Sequence, residues 1–155
     1  MLKQVSKLVL SVVLLAGFVG VANAEPSRED FAIKVRKGGF AMMAWYMGPL
    51  GRMAKGEMPY DQAMFQRNAE TLAFLSKLPK DAFIPGSDKG ETKAKPEIWS
   101  KADKFKAANE AMETETAKLA EMSKGGNLDA LKEQVGKVQK TCKSCHEEFK
   151  TKSER

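Results

Sequence analysis

The chain has 155 residues, 26 Lys and Arg against 20 Asp and Glu, a formal charge of +6, and 43% hydrophobic residues. That length sets a single folded domain, and the charge is mild and mixed throughout, as in Lys101-Ala102-Asp103-Lys104, which excludes a nucleic-acid footprint. Both cysteines and the one histidine fall in a single pentapeptide near the end, so the chemistry of these residue types is concentrated there.

In chain order, the first segment is a leader. Lys3 and Lys7 precede an apolar run from Leu8 to Val21 that closes on Ala22-Asn23-Ala24. This is the pattern of a secretory signal peptide cut after Ala24. The run is too short for the ~20 residues that span a bilayer, so no membrane insertion is expected after cleavage. Removing 1–24 takes two lysines and no acid, leaving 24 basic against 20 acidic residues, or +4. The expected location is a bacterial periplasm, and 25–155 form the folded domain.

A first helix is expected over 27–54, weakened locally by Gly38-Gly39 and Gly48-Pro49, with Pro49 kinking or ending it. A second runs over 61–78 between Pro59 and Pro79, with Phe65, Ala69, Leu72 and Leu75 inward. The connection over 79–95 exceeds the usual two to eight residues between bundle helices. Its Phe83-Ile84 should tuck inward and its basic end should stay in water. A third stripe, Ile98, Ala102, Phe105, Ala108, Met112, Leu119 and Met122, starts after Pro96 and ends before Gly125-Gly126.

The last helix opens on Asn127 as N-cap and carries Leu128, Leu131, Val135, Val138, Cys142, Cys145 or His146, and Phe149 on one face. No segment alternates with period two. The fold class is therefore all-α, with four helices.

Cys142-Lys143-Ser144-Cys145-His146 reads as a covalent attachment site for haem c. Two thiols three positions apart add to the two vinyl groups of one haem, and the adjacent imidazole supplies an axial iron ligand. Cys142 and His146 are four apart and share a face, so the haem lies against the inward side of the last helix. The competing readings are poorer. A structural zinc site needs four ligands and three are present, a thioredoxin-like pair needs a βαβ context, and a plain disulfide leaves the histidine unused. With one histidine, a bis-His haem within one chain is excluded.

Together these features resemble the class II c-type cytochromes, and within them the cytochrome c′ family. The resemblance rests on Arg36, Met43 seven residues on, Pro59-Tyr60-Asp61, Leu78-Pro79 with Phe83, Pro96-Glu97-Ile98-Trp99, and Cys142 to Lys150. It implies an antiparallel up-down-up-down four-helix bundle enclosing one haem; the cytochrome c′ bundle is a reference example of that topology. In low-spin relatives a methionine four residues after the position of Arg36 fills the sixth iron site. Here that residue is Phe40, which cannot ligate, so five-coordinate iron on His146 alone is expected. Met42 and Met43 lie close by, and Met43 is expected to pack beside the haem and not to bind iron.

The resemblance further implies an apolar distal pocket of Phe40, Phe83, Phe105 and Met112. Such a pocket lacks a donor to stabilise dioxygen and an acid-base group to cleave peroxide, so no enzyme is expected. Nitric oxide, and carbon monoxide less readily, fit it. Arg36 is expected to meet a haem propionate, with a surface role as the alternative. On the proximal side Phe149 and Lys150 lie one turn after His146, and Lys150 keeps the charge of the family's usual arginine without its planar fork. Gly38 and Gly39 allow a close backbone approach of haem or of a partner helix, with ordinary helix crossing as the alternative. The competing function is electron transfer, with Lys-rich 89–95 and 150–152 steering an acidic redox partner. A homodimer through the first two helices is expected from the surplus of Trp45, Tyr46 and Met47.

Overall fold

The structure, a computed structural model, describes residues 25–125 and 127–152; the expected signal peptide over 1–24 lies outside them. Helix α1 spans Arg28–Lys55, α2 Gln62–Leu75, a 3₁₀ turn Pro79–Ala82, α3 Glu97–Ser100, α4 Ala102–Ser123 and α5 Leu128–Phe149. Four of these are long and form the bundle.

The starts follow from side-chain capping of orphan backbone N–H groups. Ser27 Oγ accepts from the Asp30 amide at 3.1 Å, Asp61 Oδ1 from Met64 at 2.9 Å, and Asn127 Oδ1 from Asp129 at 2.8 Å. At the other end of α1, Gly56 adopts φ 74°, and its N–H reaches the carbonyls of Arg52 and Met53. That left-handed position suits glycine.

Cross-helix contacts define the topology. Ser76 at the end of α2 meets Thr116 of α4 at 3.0 Å, and Gln134 of α5 meets Glu115 of α4. Gly51 late in α1 faces Gln139 of α5, while Gly39 early in α1 faces Pro79 beyond α2. Each helix therefore runs antiparallel to its neighbours in the order α1, α2, α4, α5, and α5 closes onto α1. Phe65, Leu50, Leu119 and Leu131 are completely enclosed at the centre. Each such burial contributes about 2 kcal/mol of transfer free energy.

Several expectations shift. α1 continues through Pro49 without ending, and Leu50 and Met53 beyond it are buried core residues. Gly48 lacks the Cβ that would clash with the proline ring, and core packing offsets the lost hydrogen bond. α2 stops at Leu75, short of 78, where the Ser76 hydroxyl turns back onto the Ala73 carbonyl. The third expected helix is broken at Lys101, with φ −124° and ψ 48°, which turns Ala102 out to solvent. The inward stripe of α2 stands as expected; on α5 Leu131, Val135, Val138 and Phe149 are buried, Leu128, Cys142 and Cys145 are half-buried, and His146 lies exposed. Among the described residues the one bridge of β type pairs Ala94 with Lys150, and no helix is long and apolar enough to cross a membrane.

Candidate functional site

α5 presents Cys142, Cys145 and His146 near its C-terminus, over the half of the bundle where α1, the 79–95 connection and the start of α4 converge. Both cysteines are half-buried and free, so the disulfide alternative is not formed. Cys142 packs against the core cluster that includes Met43 and Met112. Burial raises both thiols. Cys145 is pushed up to about 11, with Cys142 and Glu148 adding to the effect.

His146 is exposed, yet enough protein surrounds its ring for desolvation, with the Lys150 charge second, to hold its pKa below the usual imidazole range. The ring is therefore neutral at pH 7 and has a lone pair for iron. Among the described residues no group of three or more His, Cys, Asp and Glu converges, which removes the zinc alternative. Two thiols and a neutral imidazole on one helical face fit covalent haem.

The aromatic residues form a chain across the site. Phe40 meets Phe83 with ring centroids 6.2 Å apart, Phe83 meets Phe105 at 4.8 Å, and Phe105 meets Phe149 at 5.3 Å. The chain thus runs from α1 through the connection and α4 to the turn after His146. Phe40 is half-buried against the core, and Met43 and Met112 are buried. A cleft of about 410 Å³ is lined by Phe83, Ile98, Trp99 and Phe105, and a second of about 340 Å³ by Cys145 and Phe149. Lys150 is exposed.

Arg36 is 2% exposed and packed inside the connection. Nη1 donates to the Ala82 carbonyl at 3.1 Å and Ser87 Oγ at 2.7 Å; Nη2 donates to the Ser87 carbonyl at 2.5 Å and Thr92 Oγ1 at 2.8 Å. The guanidinium also lies 4.7 Å from the Phe83 centroid and 5.9 Å from that of Trp99. Burial lowers its pKa and Asp88 opposes that, but an arginine stays charged. Neutral oxygens and two ring faces solvate this cation, and four of its five N–H donors serve the connection. Its alternative reading as a surface residue is thereby corrected: the side chain is enclosed. Nε–H is the one donor that these four bonds leave unused.

The connection is a structured strap. Trp99 Nε1 donates to the carbonyls of Phe83 and Ile84, both at 3.2 Å, and Lys37 Nζ to that of Glu91 at 3.2 Å. Phe83 and Ile84 are half-buried as expected, and Lys89 and Lys93 are exposed. Gly39 sits in close approach to the connection, where a Cβ would lie 3.0 Å from Pro79 Cγ and press on that ring, whereas Gly38 faces open space. Ser87 and Thr92 carry no expected role in the sequence, Trp99 only a place in a motif, and Lys95 only one in the basic end expected to stay in water, whereas the structure half-buries it. Ser87 and Thr92 also bond locally, to Ile84 and Ala94, but no local pattern marks the contacts that build the strap, whose partners lie at least 15 residues away.

A model of the cytochrome c′ family matches residues 31–150. The chain is 40% identical over 148 residues to a cytochrome c′ from Cereibacter sphaeroides, covering 93% of this chain and 97% of that protein. The crystal structure of cytochrome c′ from Rubrivivax gelatinosus superposes with a TM-score of 0.76 at 39% identity, over 80% of this chain and 97% of the other. A nitric oxide complex of a mutant cytochrome c′ from Alcaligenes xylosoxidans gives a TM-score of 0.76 at 38% identity, over 81% and 98% of the two chains.

Proposed function

The chain belongs to the cytochrome c′ family, and from that footing we propose that it is a periplasmic gas-binding protein whose five-coordinate, high-spin haem iron takes up nitric oxide, and carbon monoxide less readily. It is a haem c protein, with Cys142 and Cys145 as the attachment thiols and His146 as the axial ligand. Export by the segment 1–24 belongs to the same proposal.

The observation that carries this reading is the nature of the groups around Phe40. The ring chain Phe40, Phe83, Phe105 offers neither an iron ligand nor a hydrogen-bond donor. The N–H-bearing side chains around it have other partners: Trp99 donates to two carbonyls, Arg36 to four oxygens of the connection and Asn109 to the Phe105 carbonyl, while Lys80 and Lys106 pair with Glu113 and Glu110. Bound dioxygen needs a donor and peroxide cleavage needs an acid-base group, so the pocket favours neutral diatomics that need neither. We read the protein as a binder and not an enzyme. Arg36 Nε–H is the group assigned to a propionate, Met43 and Met112 to apolar packing beside the haem, and Phe149 and Lys150 to the proximal side.

A homodimer goes with this reading. Phe31, Val35, Met42 and Trp45 form an exposed apolar stripe on α1; Phe74 of α2 and Leu78 beyond its end are exposed apolar residues as well. Tyr46 and Met47, first assigned to that surface, pack against the core instead. Stripes of this kind mark association surfaces.

The second reading, electron transfer with an acidic redox partner, draws on the Ala94 to Lys150 bridge, which brings the Lys-rich stretches 89–95 and 150–152 together at the end of the haem-bearing helix. Titration of the ferrous holoprotein with nitric oxide separates the two. One equivalent bound per haem, with no peroxidase turnover, is the expected result; a haem that cycles with a reductant but takes up no nitric oxide supports the carrier instead.

A further inference from the structure

The last turn of α5 has its carbonyls satisfied from a distant part of the chain. Lys95 Nζ donates to the carbonyls of Glu147 and Glu148, both at 3.1 Å, and the Lys95 backbone N–H donates to that of Phe149 at 3.0 Å. The His146 carbonyl accepts from Lys150 N–H at 3.1 Å. Carbonyls at a helix C-terminus lack intrahelical partners. Here one residue, 52 positions before Glu147, takes three of them. Its ammonium group also lies at the negative end of the α5 dipole.

Lys95 is held in place from both sides. Ala94 pairs with Lys150, and Thr151 N–H donates to the Lys93 carbonyl at 2.9 Å. Upstream, Thr92 Oγ1 accepts from the Ala94 amide at 3.1 Å and from Arg36 Nη2 at 2.8 Å. The cap is thus continuous with the strap that Arg36 fixes to α1, the helix of Phe40.

We propose that Lys95 is a positioning residue for the iron ligand His146: a C-cap supplied by the strap that fixes the turn carrying the imidazole and so sets its bond to iron. The inference rests on the haem assignment above and is independent of whether the sixth position is empty. Groups that orient a metal-bound histidine tune the metal even when they touch neither metal nor ring.

The test uses the ferric holoprotein and its Lys95→Met and Lys95→Arg variants. Methionine keeps the length and the backbone bond but removes both ammonium contacts; arginine restores donors and charge. Two quantities are read: amide exchange over 147–151, and the paramagnetically shifted proton resonances of the His146 ring, which report the histidine–iron geometry in high-spin and low-spin haem alike. In Lys95→Met, exchange is expected to rise by about tenfold, the loss of roughly one or two net hydrogen bonds. The ring resonances should move with it, and Lys95→Arg should return both to wild type. Faster exchange with unmoved resonances overturns the proposal, leaving a cap for stability alone. Unchanged exchange, or an arginine variant that fails to restore the resonances, overturns it as well. Failure of the gas-binding reading would appear separately, as a low-spin wild-type spectrum.

Discussion

Phe40 of α1 and Phe83 of the connection meet edge to face, with ring centroids 6.2 Å apart and planes at 61°. The residue proposed to face the iron on the distal side is therefore restrained by a contact outside its own helix. Phe83 is itself held under the Arg36 guanidinium at 4.7 Å. A ligand that displaces Phe40 has to work against this stack.

Phe40→Ala should accordingly speed carbon monoxide and nitric oxide association by about tenfold or more, a barrier lower by ~1.4 kcal/mol. Stopped-flow mixing with the ferrous holoprotein measures it. Rates equal to wild type would remove the steric gate from the account.

Arg36→Met should destabilise the fold by about 3 kcal/mol, because the Ala82 and Ser87 carbonyls lose their donor inside the protein. Arg36→Lys should recover little of this, since an ammonium cannot reproduce the planar fork that reaches three residues at once. Chemical denaturation reads both. Equal stability of Arg36→Lys and wild type would show that charge, not geometry, holds the strap.

In the haem-free chain the thiols should react slowly. Cys145 rises from 9.0 to about 11, which leaves ~100-fold less thiolate near pH 8, offset about tenfold by the greater nucleophilicity of a more basic thiolate. Alkylation by iodoacetamide should therefore run about tenfold slower than in an unfolded peptide of residues 140–148. Linkage gives the same sign: the unfolded chain releases these protons first, so the apo protein loses stability as pH rises from about 9 towards about 11. Peptide-like alkylation rates would contradict the burial of the pair.

Met42→Glu and Trp45→Glu each place a charge in the exposed stripe of α1, where Trp45 is 77% exposed. Sedimentation should show a dimer for the wild type and a monomer for either variant, with unchanged haem spectra. A monomeric wild type would assign the stripe to something other than self-association.

What the sequence made legible was local. The Asn127 cap, the helix starts near 27 and 61, the inward faces of α2 and α5, and the attachment pentapeptide all depend on spacings of four residues or fewer. The passage of α1 through Pro49 was not legible, because it depends on Leu50 and Met53 being buried by other helices. Nor was the enclosure of Arg36, whose acceptors lie 46 to 56 residues away, nor the capping of α5 by Lys95. Long-range polar contacts carry no period, and the strap is built from them.

The optical and resonance Raman spectra of the ferrous holoprotein test the central claim most directly. An empty sixth position beside Phe40 predicts a broad high-spin Soret band, spin-state markers of five-coordinate haem and an iron–histidine stretch from His146. Sharp low-spin bands without that stretch would mean that a methionine fills the site, and would contradict the account.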